Sequence, residues 1–209
     1  MLSELDLSAL LCSRICHDLI SPVSALNNGL EVLEEESDPE MRDQVVAHIT
    51  MSGQQASNKL EFARMAYGSS GSPASGLDLL EAGRILSALF EGGKIRLDWQ
   101  APEQVAEKPF VKIIMNLVLV ARDMIPRGGV LTVRVATGSN QKSLSIEASG
   151  EKAKINEDVS RALSGQTEAE DLDARSIQPY YIYLLCRSCG MDIACREETD
   201  CITLTSVGG

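Results

Sequence analysis

The sequence has no excess of positive charge. It holds 19 lysine and arginine residues against 30 aspartate and glutamate residues, a formal net charge of −11 at pH 7. A nucleic-acid backbone and an anionic membrane surface would both repel such a chain, so proteins with basic patches are better candidates for partners. With 209 residues, 44% of them hydrophobic and 23% charged, the chain is long enough for one or two globular domains.

Long apolar segments are also missing. The chain does not open with a basic stretch followed by an apolar one, as a secretory leader does, and it has no run of about 18 consecutive apolar residues. We therefore expect a cytoplasmic protein without a membrane span.

The six cysteines are expected to be reduced thiols, because the sequence has no secretory leader. Cys186 and Cys189 form a C-x-x-C pair that Cys195 and Cys201 follow, so a zinc site is the alternative. Structural zinc sites usually offer paired cysteines from a turn, whereas YYIYLLCRSCG is a nearly continuous apolar stretch. Small apolar packing is therefore the favoured role for these four cysteines, as it is for Cys12 and Cys16.

Two stretches of the N-terminal third show the periodicity of amphipathic helices, with apolar or small residues at spacings of three and four. These are Leu11, Ile15, Leu19, Val23, Leu26, Leu30 and Leu33 in the first, and Val45, Ile49, Ser52, Ala56, Leu60 and Ala63 in the second. Ser37 or Asp38 is expected to cap the second helix and Gly68 to end it, so residues 5–67 form an antiparallel hairpin. Two helices cannot enclose this stripe, which predicts a homodimer with a four-helix bundle.

The stretch GSSGSPASG, residues 68–76, has the composition of a linker. We expect residues 1–68 to form the helical hairpin, 69–76 the linker and 77–209 a second domain. In that domain helical and strand patterns follow one another, with hairpin connections between strands. The predicted fold class is α plus α+β: a helical hairpin of a dimeric bundle, followed by an α+β sandwich.

A histidine stands in the first helix, within RICHDLISPV. At 100° per residue, His17 lies about 160° from Leu19 and faces away from the apolar stripe. Its neighbours on this outer strip are Leu10, Arg14, Ser21, Ser24 and Asn28. A core histidine is disfavoured, and so is a metal site, because Asp18 points elsewhere and His48 stands alone in the second helix. An ordinary surface histidine remains the alternative to a functional one.

The segment HDLISP resembles the H-box of histidine kinases: a histidine, an acid, leucine, any residue, serine or threonine, and proline. Pro22 removes a helix hydrogen bond just beyond the histidine and is expected to bend the helix. The hairpin followed by an α+β domain is similar to a dimerisation and histidine phosphotransfer domain followed by an ATPase-like domain. The resemblance covers nearly the whole chain.

The second domain keeps little of the nucleotide-binding pattern of those kinases. Asn116 matches the first asparagine of the N-box, but Val120 replaces the second. Ala148 and Lys152 replace the aspartate and second glycine of the Asp-x-Gly-x-Gly box, in which Gly150 survives. Ser176 and Gln178 stand where the phosphate loop has glycines, and backbone close to phosphate tolerates little else. The resemblance thus implies the ATPase fold without nucleotide, and no cofactor of its own.

The segment CHDLISPV, with Asn28-Gly29 downstream, looks like the ChpT-type histidine phosphotransferases of alphaproteobacteria. That family implies a cytosolic homodimer that accepts a phosphoryl group from the receiver domain of a hybrid histidine kinase like CckA. It passes the group to the receivers of response regulators like CtrA and CpdR in cell-cycle control, and magnesium is expected on the partner receiver. Two alternatives stay open: an active histidine kinase, and a scaffold or antikinase that carries no phosphate.

The site residues follow from phosphoryl transfer, in which positioning and charge stabilisation do most of the catalysis. His17 is expected to be phosphorylated and Asp18 to accept a hydrogen bond from its other ring nitrogen, with a chance acid on the helix surface as the alternative for Asp18. Arg14 is expected to steady phosphate charge, and Ser21 to orient a hydrolytic water, with plain helix surface as its alternative. Partner contacts are expected at Leu10, Ser24 and Asn28, together with Arg14 and Ser21.

Overall fold

The structure, a computed structural model, describes residues 2–68, 76–137 and 142–208. Its helices are α1 (Glu4–Glu35), α2 (Pro39–Ala66), α3 (Leu79–Phe90), α4 (Lys108–Asp123), α5 (Glu157–Leu163) and α6 (Ile177–Cys189), with a 3-10 turn at Ala169–Asp171. Its strands are β1 (Leu77–Asp78), β2 (Ile95–Gln100), β3 (Val105–Ala106), β4 (Gly129–Thr137), β5 (Lys142–Ser149), β6 (Met191–Glu198) and β7 (Cys201–Gly208). Most of the predicted linker, residues 69–75, lies outside the described residues.

Helices α1 and α2 form the predicted antiparallel hairpin. Asp38 caps α2 by accepting hydrogen bonds from the Glu40 and Met41 amides at 2.9 and 3.1 Å, and Pro39 occupies the first turn. Several members of the predicted apolar stripe remain exposed in the single chain: Val23 and Leu30 at 44% and Leu60 at 53%. The hairpin therefore presents an apolar face that its own two helices do not cover.

The second domain is an α+β sandwich, as predicted. Its main sheet has the order β2-β4-β5-β7-β6, in which β2 and β4 are parallel and the other pairs antiparallel. Helix α4 is buried along almost its whole length against this sheet and against α6. Lys112 of α4 donates from Nζ to the Gly68 carbonyl at 2.7 Å, which ties the end of the hairpin to this core.

The cysteines are distributed over both domains. Cys186 lies in the main core, and burial raises the pKa of its thiol to about 12. Cys12, Cys16 and Cys195 are exposed. Among the described residues no group of three or more histidine, cysteine or acidic side chains is placed to hold a metal ion.

Helix α1 meets the length and composition of a membrane span, although the sequence predicts no such span. One helix of this kind near the start of a chain is weak evidence for a membrane. This helix also carries the polar or charged side chains of Arg14, His17 and Asp18.

Candidate functional site

His17 lies on the outer side of α1 with 65% of its side chain exposed. Its Nδ1 is 3.5 Å from Oδ1 of Asp18, which turns that ring nitrogen toward the carboxylate and leaves Nε2 as the nitrogen open to a partner. The other oxygen of Asp18 accepts a hydrogen bond from Arg14 Nε at 2.9 Å. Three residues of one helix thus form a chain from guanidinium to carboxylate to imidazole.

The turn after His17 contains the proline of the H-box-like segment. Pro22 is buried inside α1, and it has no N–H to donate to the Asp18 carbonyl four residues earlier. Lys59 of α2 donates to this carbonyl instead, with Nζ at 2.7 Å from the oxygen. The ammonium group of the second helix therefore reaches the backbone of the residue next to His17.

Part of the outer strip is covered by the second domain. Ser21, Ser24 and Asn28 are exposed, as expected. Leu10, in contrast, packs against an apolar cluster centred on α6, together with Leu2, Leu7 and Leu11. The sequence-based expectation that Leu10 lies on an exposed strip is therefore wrong, and the same holds for Arg14, as its contacts show.

Arg14 is held on two sides. Besides its ion pair with Asp18, its Nη1 lies 3.5 Å from the Ala174 carbonyl, just before α6. Only 11% of its side chain is exposed. Because the helical wheel considers α1 alone, it had no means of predicting this neighbour.

A cavity of about 180 Å³ lies between the hairpin and the second domain, beside Asp18. Lys59 of α2 and Arg122 of α4 line it, along with Phe62 and Tyr67. Sequence reasoning missed both cations. Pro22 does signal that the carbonyl four residues earlier needs another donor, but the sequence gives no indication which side chain supplies it.

Four residues at the positions of the kinase nucleotide-binding boxes lie inside this protein. Helix α6 packs on α4, and Gln178 Nε2 donates to Asn116 Oδ1 at 3.1 Å with both side chains buried. Val120 and Ala148 are buried in the core as well. The surviving N-box asparagine is thus paired inside the protein.

Two other replaced positions are held by hydrogen bonds to aspartate carboxylates. The Ser176 amide and hydroxyl bind the Asp173 carboxylate, each at 2.8 Å, and these bonds hold the pKa of Asp173 below its usual range. Lys152 keeps a left-handed backbone with φ 60°, a conformation natural to glycine, and its amide donates to Asp200 Oδ1 at 2.7 Å.

The chain combines an exposed histidine on a two-helix hairpin with an α+β sandwich like that of histidine kinases. This combination is typical of histidine-containing phosphotransfer proteins that are built like histidine kinases. The sequence model described as "Histidine phosphotransferase C-terminal domain" matches residues 79–200. Over 205 residues the chain is 38% identical to Protein phosphotransferase ChpT of Brucella abortus (strain 2308), covering 98% of this chain and 97% of that protein. The chain belongs to the histidine phosphotransferase family, as the resemblance predicted.

Solved structures agree with this assignment. A structure described as "1.7 Angstrom Structure of a Bacterial Phosphotransferase" matches with a TM-score of 0.90 and 36% identity, covering 99% of this chain and 98% of that one. The histidine kinase domain of the blue-light activated kinase EL346 from Erythrobacter litoralis matches with a TM-score of 0.50 and 16% identity, covering 89% and 92% of the two chains. The kinase likeness concerns the fold alone.

Proposed function

We propose that this histidine phosphotransferase carries its phosphoryl group on His17 as an intermediate of a two-component phosphorelay. The observation that carries the proposal is the exposed imidazole whose Nδ1 faces Asp18 while Nε2 is open to a partner. The upstream partner is the receiver domain of a hybrid histidine kinase of the CckA kind. The downstream partners are response-regulator receivers of the CtrA and CpdR kind, in cell-cycle control in the cytoplasm.

The chemistry is one displacement at phosphorus. Neutral His17 attacks the aspartyl phosphate of a receiver through Nε2, the new nitrogen–phosphorus bond forms, and the aspartate leaves as a carboxylate with the electron pair of the broken oxygen–phosphorus bond. The Nδ1 proton stays on the ring, where the negative charge of Asp18 stabilises the imidazolium that develops. The receiver brings its own magnesium, and donation to the second receiver reverses these steps.

The neighbouring polar residues divide between holding the ring and meeting the receiver. Arg14, which is occupied by Asp18 and the Ala174 carbonyl, orients Asp18 rather than contacting phosphate directly. Ser21, one turn after His17, orients water for dephosphorylation in this proposal. Ser24 and Asn28 continue the exposed strip and belong to the receiver footprint.

The acceptor is tested with a radiolabelled phospho-receiver of a CckA-like hybrid kinase. Label is expected to move to the wild type and to His48→Ala but not to His17→Ala. His48 is the control because it is the only other histidine of the chain. Label on His17→Ala, or none on the wild type, would overturn the proposal and favour another carrier residue or a scaffold without phosphate.

The proposal includes a homodimer in which the hairpins of two chains pack together. The exposed apolar side chains of Val23 and Leu60 support it, since a second hairpin would remove them from water. Light scattering at micromolar concentration should show a dimer for the wild type and for Asn28→Asp on the outer strip. Val23→Asp and Leu60→Asp should be monomers, and a monomeric wild type would refute the dimer.

Phosphate from ATP is not part of the proposed activity. The buried Asn116–Gln178 pair, with Val120 and Ala148 in the core, supports a domain that holds no nucleotide. Calorimetry with ATP and magnesium should give no binding heat. Binding at micromolar affinity would restore the alternative of an active histidine kinase.

A further inference from the structure

Helix α1 runs without interruption from Glu4 to Glu35, although Pro22 lies inside it. In an α-helix the amide of residue 22 would donate to the carbonyl of Asp18, and proline has no amide hydrogen. The turn that follows His17 is therefore one backbone hydrogen bond short. A carbonyl left without a donor in a packed region is costly, which makes its replacement partner informative.

The replacement partner is Lys59, which belongs to the other helix of the hairpin. Its Nζ lies 2.7 Å from the Asp18 oxygen, a short bond from a charged donor. Lys59 is half-buried, and loss of hydration lowers the pKa of its ammonium, while the charge of Asp18 raises it and those of Arg122 and Arg14 lower it. The protein thus places a partly desolvated cation at the position where the helix lacks a donor.

Both the backbone carbonyl and the side-chain carboxylate of Asp18 have partners. Lys59 binds its backbone carbonyl, Arg14 binds one carboxylate oxygen, and His17 Nδ1 faces the other. Loss of the bond to the carbonyl would let the backbone of this turn shift, and the Asp18 side chain that orients the imidazole would shift with it. Small displacements of this kind slow reactions that depend on positioning.

Resting on the proposed role of His17, we propose that Lys59 is a positioning residue that replaces the backbone donor removed by Pro22 and so fixes the turn presenting His17. It does not touch the reacting atoms. This assigns a function to a residue of α2 that the H-box-like segment itself does not contain. It also predicts a specific dependence on Pro22, because a residue with an amide hydrogen there would make Lys59 unnecessary.

The test is a double-mutant cycle between positions 59 and 22. Phosphoramidate serves as the phosphodonor, so that receiver docking plays no part. Its phosphorus–nitrogen bond breaks as the bond to Nε2 forms, and ammonia leaves. Lys59→Met, which keeps the length of the stem and loses the donor, should slow labelling of His17 on the order of tenfold. Lys59→Arg should restore most of the rate.

In a Pro22→Ala background the amide of residue 22 can bond to the Asp18 carbonyl. There Lys59→Met should change the rate by at most about twofold. An equal loss in both backgrounds would overturn the proposal, because packing or general attraction of phosphate by the ammonium does not depend on residue 22. An unchanged rate for Lys59→Met alone would overturn it too.

Imidazole NMR supplies a readout that does not depend on rate. The two histidines give two sets of signals, and His48 is the internal reference. Lys59→Met should move the His17 signals, and Pro22→Ala combined with it should move them back. If the wild type takes no phosphate on His17 from either phosphoramidate or a receiver, the proposed function itself fails. If the wild type is labelled and Lys59→Met changes neither the rate nor the His17 signals, only this inference fails.

Discussion

The carboxylate of Asp18 serves two neighbours at once. One oxygen pairs with the Arg14 guanidinium at 2.9 Å, and the other faces His17 Nδ1 at 3.5 Å. The contact with the ring is longer than a normal hydrogen bond, so it acts through the charge of the carboxylate. A carboxylate at this nitrogen keeps the proton on Nδ1 and leaves the lone pair on Nε2.

Replacing Asp18 by asparagine tests this account. Asp18→Asn keeps the shape of the side chain and removes the charge that stabilises the imidazolium formed as the nitrogen–phosphorus bond develops. We expect labelling of His17 by phosphoramidate to slow roughly 10- to 100-fold. Glu31→Gln, an exposed acid-to-amide change on the same helix, is the control and should leave the rate unchanged. A rate for Asp18→Asn within about twofold of the wild type would show that the carboxylate is dispensable.

Helical periodicity predicted the exposure of His17 correctly because the second domain does not cover this residue, whereas it does cover Leu10 and Arg14 on the same strip. The partners of the ring were harder to predict. Arg14 and Asp18 are four residues apart and visible as a pair in the sequence, whereas Lys59 lies 41 residues after Asp18 and reaches it only because the hairpin folds. Side-chain donors to backbone from a distant element leave no pattern in a single sequence.

At the scale of elements, close contact between α1 and α2 depends on a glycine. A Cβ built on Gly29 would lie 2.7 Å from Ile49 Cγ1, closer than packed atoms tolerate. Gly53, on α2, has room: its Cβ would stand 3.6 Å from Leu26 Cδ1. An alanine at Gly53 therefore tests helix propensity alone, whereas an alanine at Gly29 tests helix propensity together with the strain against Ile49.

Alanine at each glycine should change stability in opposite directions. Gly53→Ala should raise the free energy of unfolding by up to about 1 kcal/mol, because alanine favours the helix. Gly29→Ala should lower it by about 1 kcal/mol, since strain against Ile49 exceeds that gain. In an Ile49→Ala background Gly29→Ala should instead stabilise. Urea unfolding gives the free energy of unfolding of Gly53→Ala, Gly29→Ala, Ile49→Ala and the double variant Gly29→Ala/Ile49→Ala. Equal effects at both glycines would mean that the helices do not approach as closely as described.

The contact of α4 with α6 includes one buried amide pair, Asn116 and Gln178. Gln178→Met would leave Asn116 Oδ1 without its 3.1 Å donor, at a cost of about 1–3 kcal/mol. Asn116→Leu combined with Gln178→Met removes both polar groups, so the double variant should be more stable than either single one. Thermal unfolding gives the comparison. Strictly additive losses would indicate that the two amides do not depend on each other.

Periodicity predicted the hairpin and the sandwich because most of their helices and strands bury one face more than the other. It did not predict that β2 pairs parallel with β4 or that Gln178 closes over Asn116. In the sequence, Gln178 is visible only as a replacement for a glycine of the phosphate loop. Its hydrogen bond to Asn116 depends on how α6 packs on α4, and local sequence patterns do not contain that information.

At the scale of the whole molecule, the second domain contacts the helix on which His17 lies. Side chains of α1 pack on a cluster formed by Ala162, Leu172, Ile177 and Tyr180, and Arg14 reaches the Ala174 carbonyl. The second domain thus holds the N-terminal half of α1 through both apolar packing and a polar contact. The predicted receiver footprint is divided accordingly: Leu10 belongs to the contact between domains, while Ser24 remains exposed.

Leu10→Asp and Ser24→Asp distinguish these two roles on one strip of α1. A charge at position 10 should weaken the contact with α6, so amide hydrogen exchange of residues 177–184 should speed up roughly tenfold, which corresponds to loss of about one half-buried leucine. Ser24→Asp should leave that exchange unchanged and slow transfer from a phospho-receiver, because it alters only the exposed surface. Labelling by phosphoramidate should not change for Ser24→Asp, since no docking is involved. If Leu10→Asp left the exchange of α6 unchanged and slowed only receiver transfer, Leu10 would belong to the receiver footprint and the contact between domains would not depend on it.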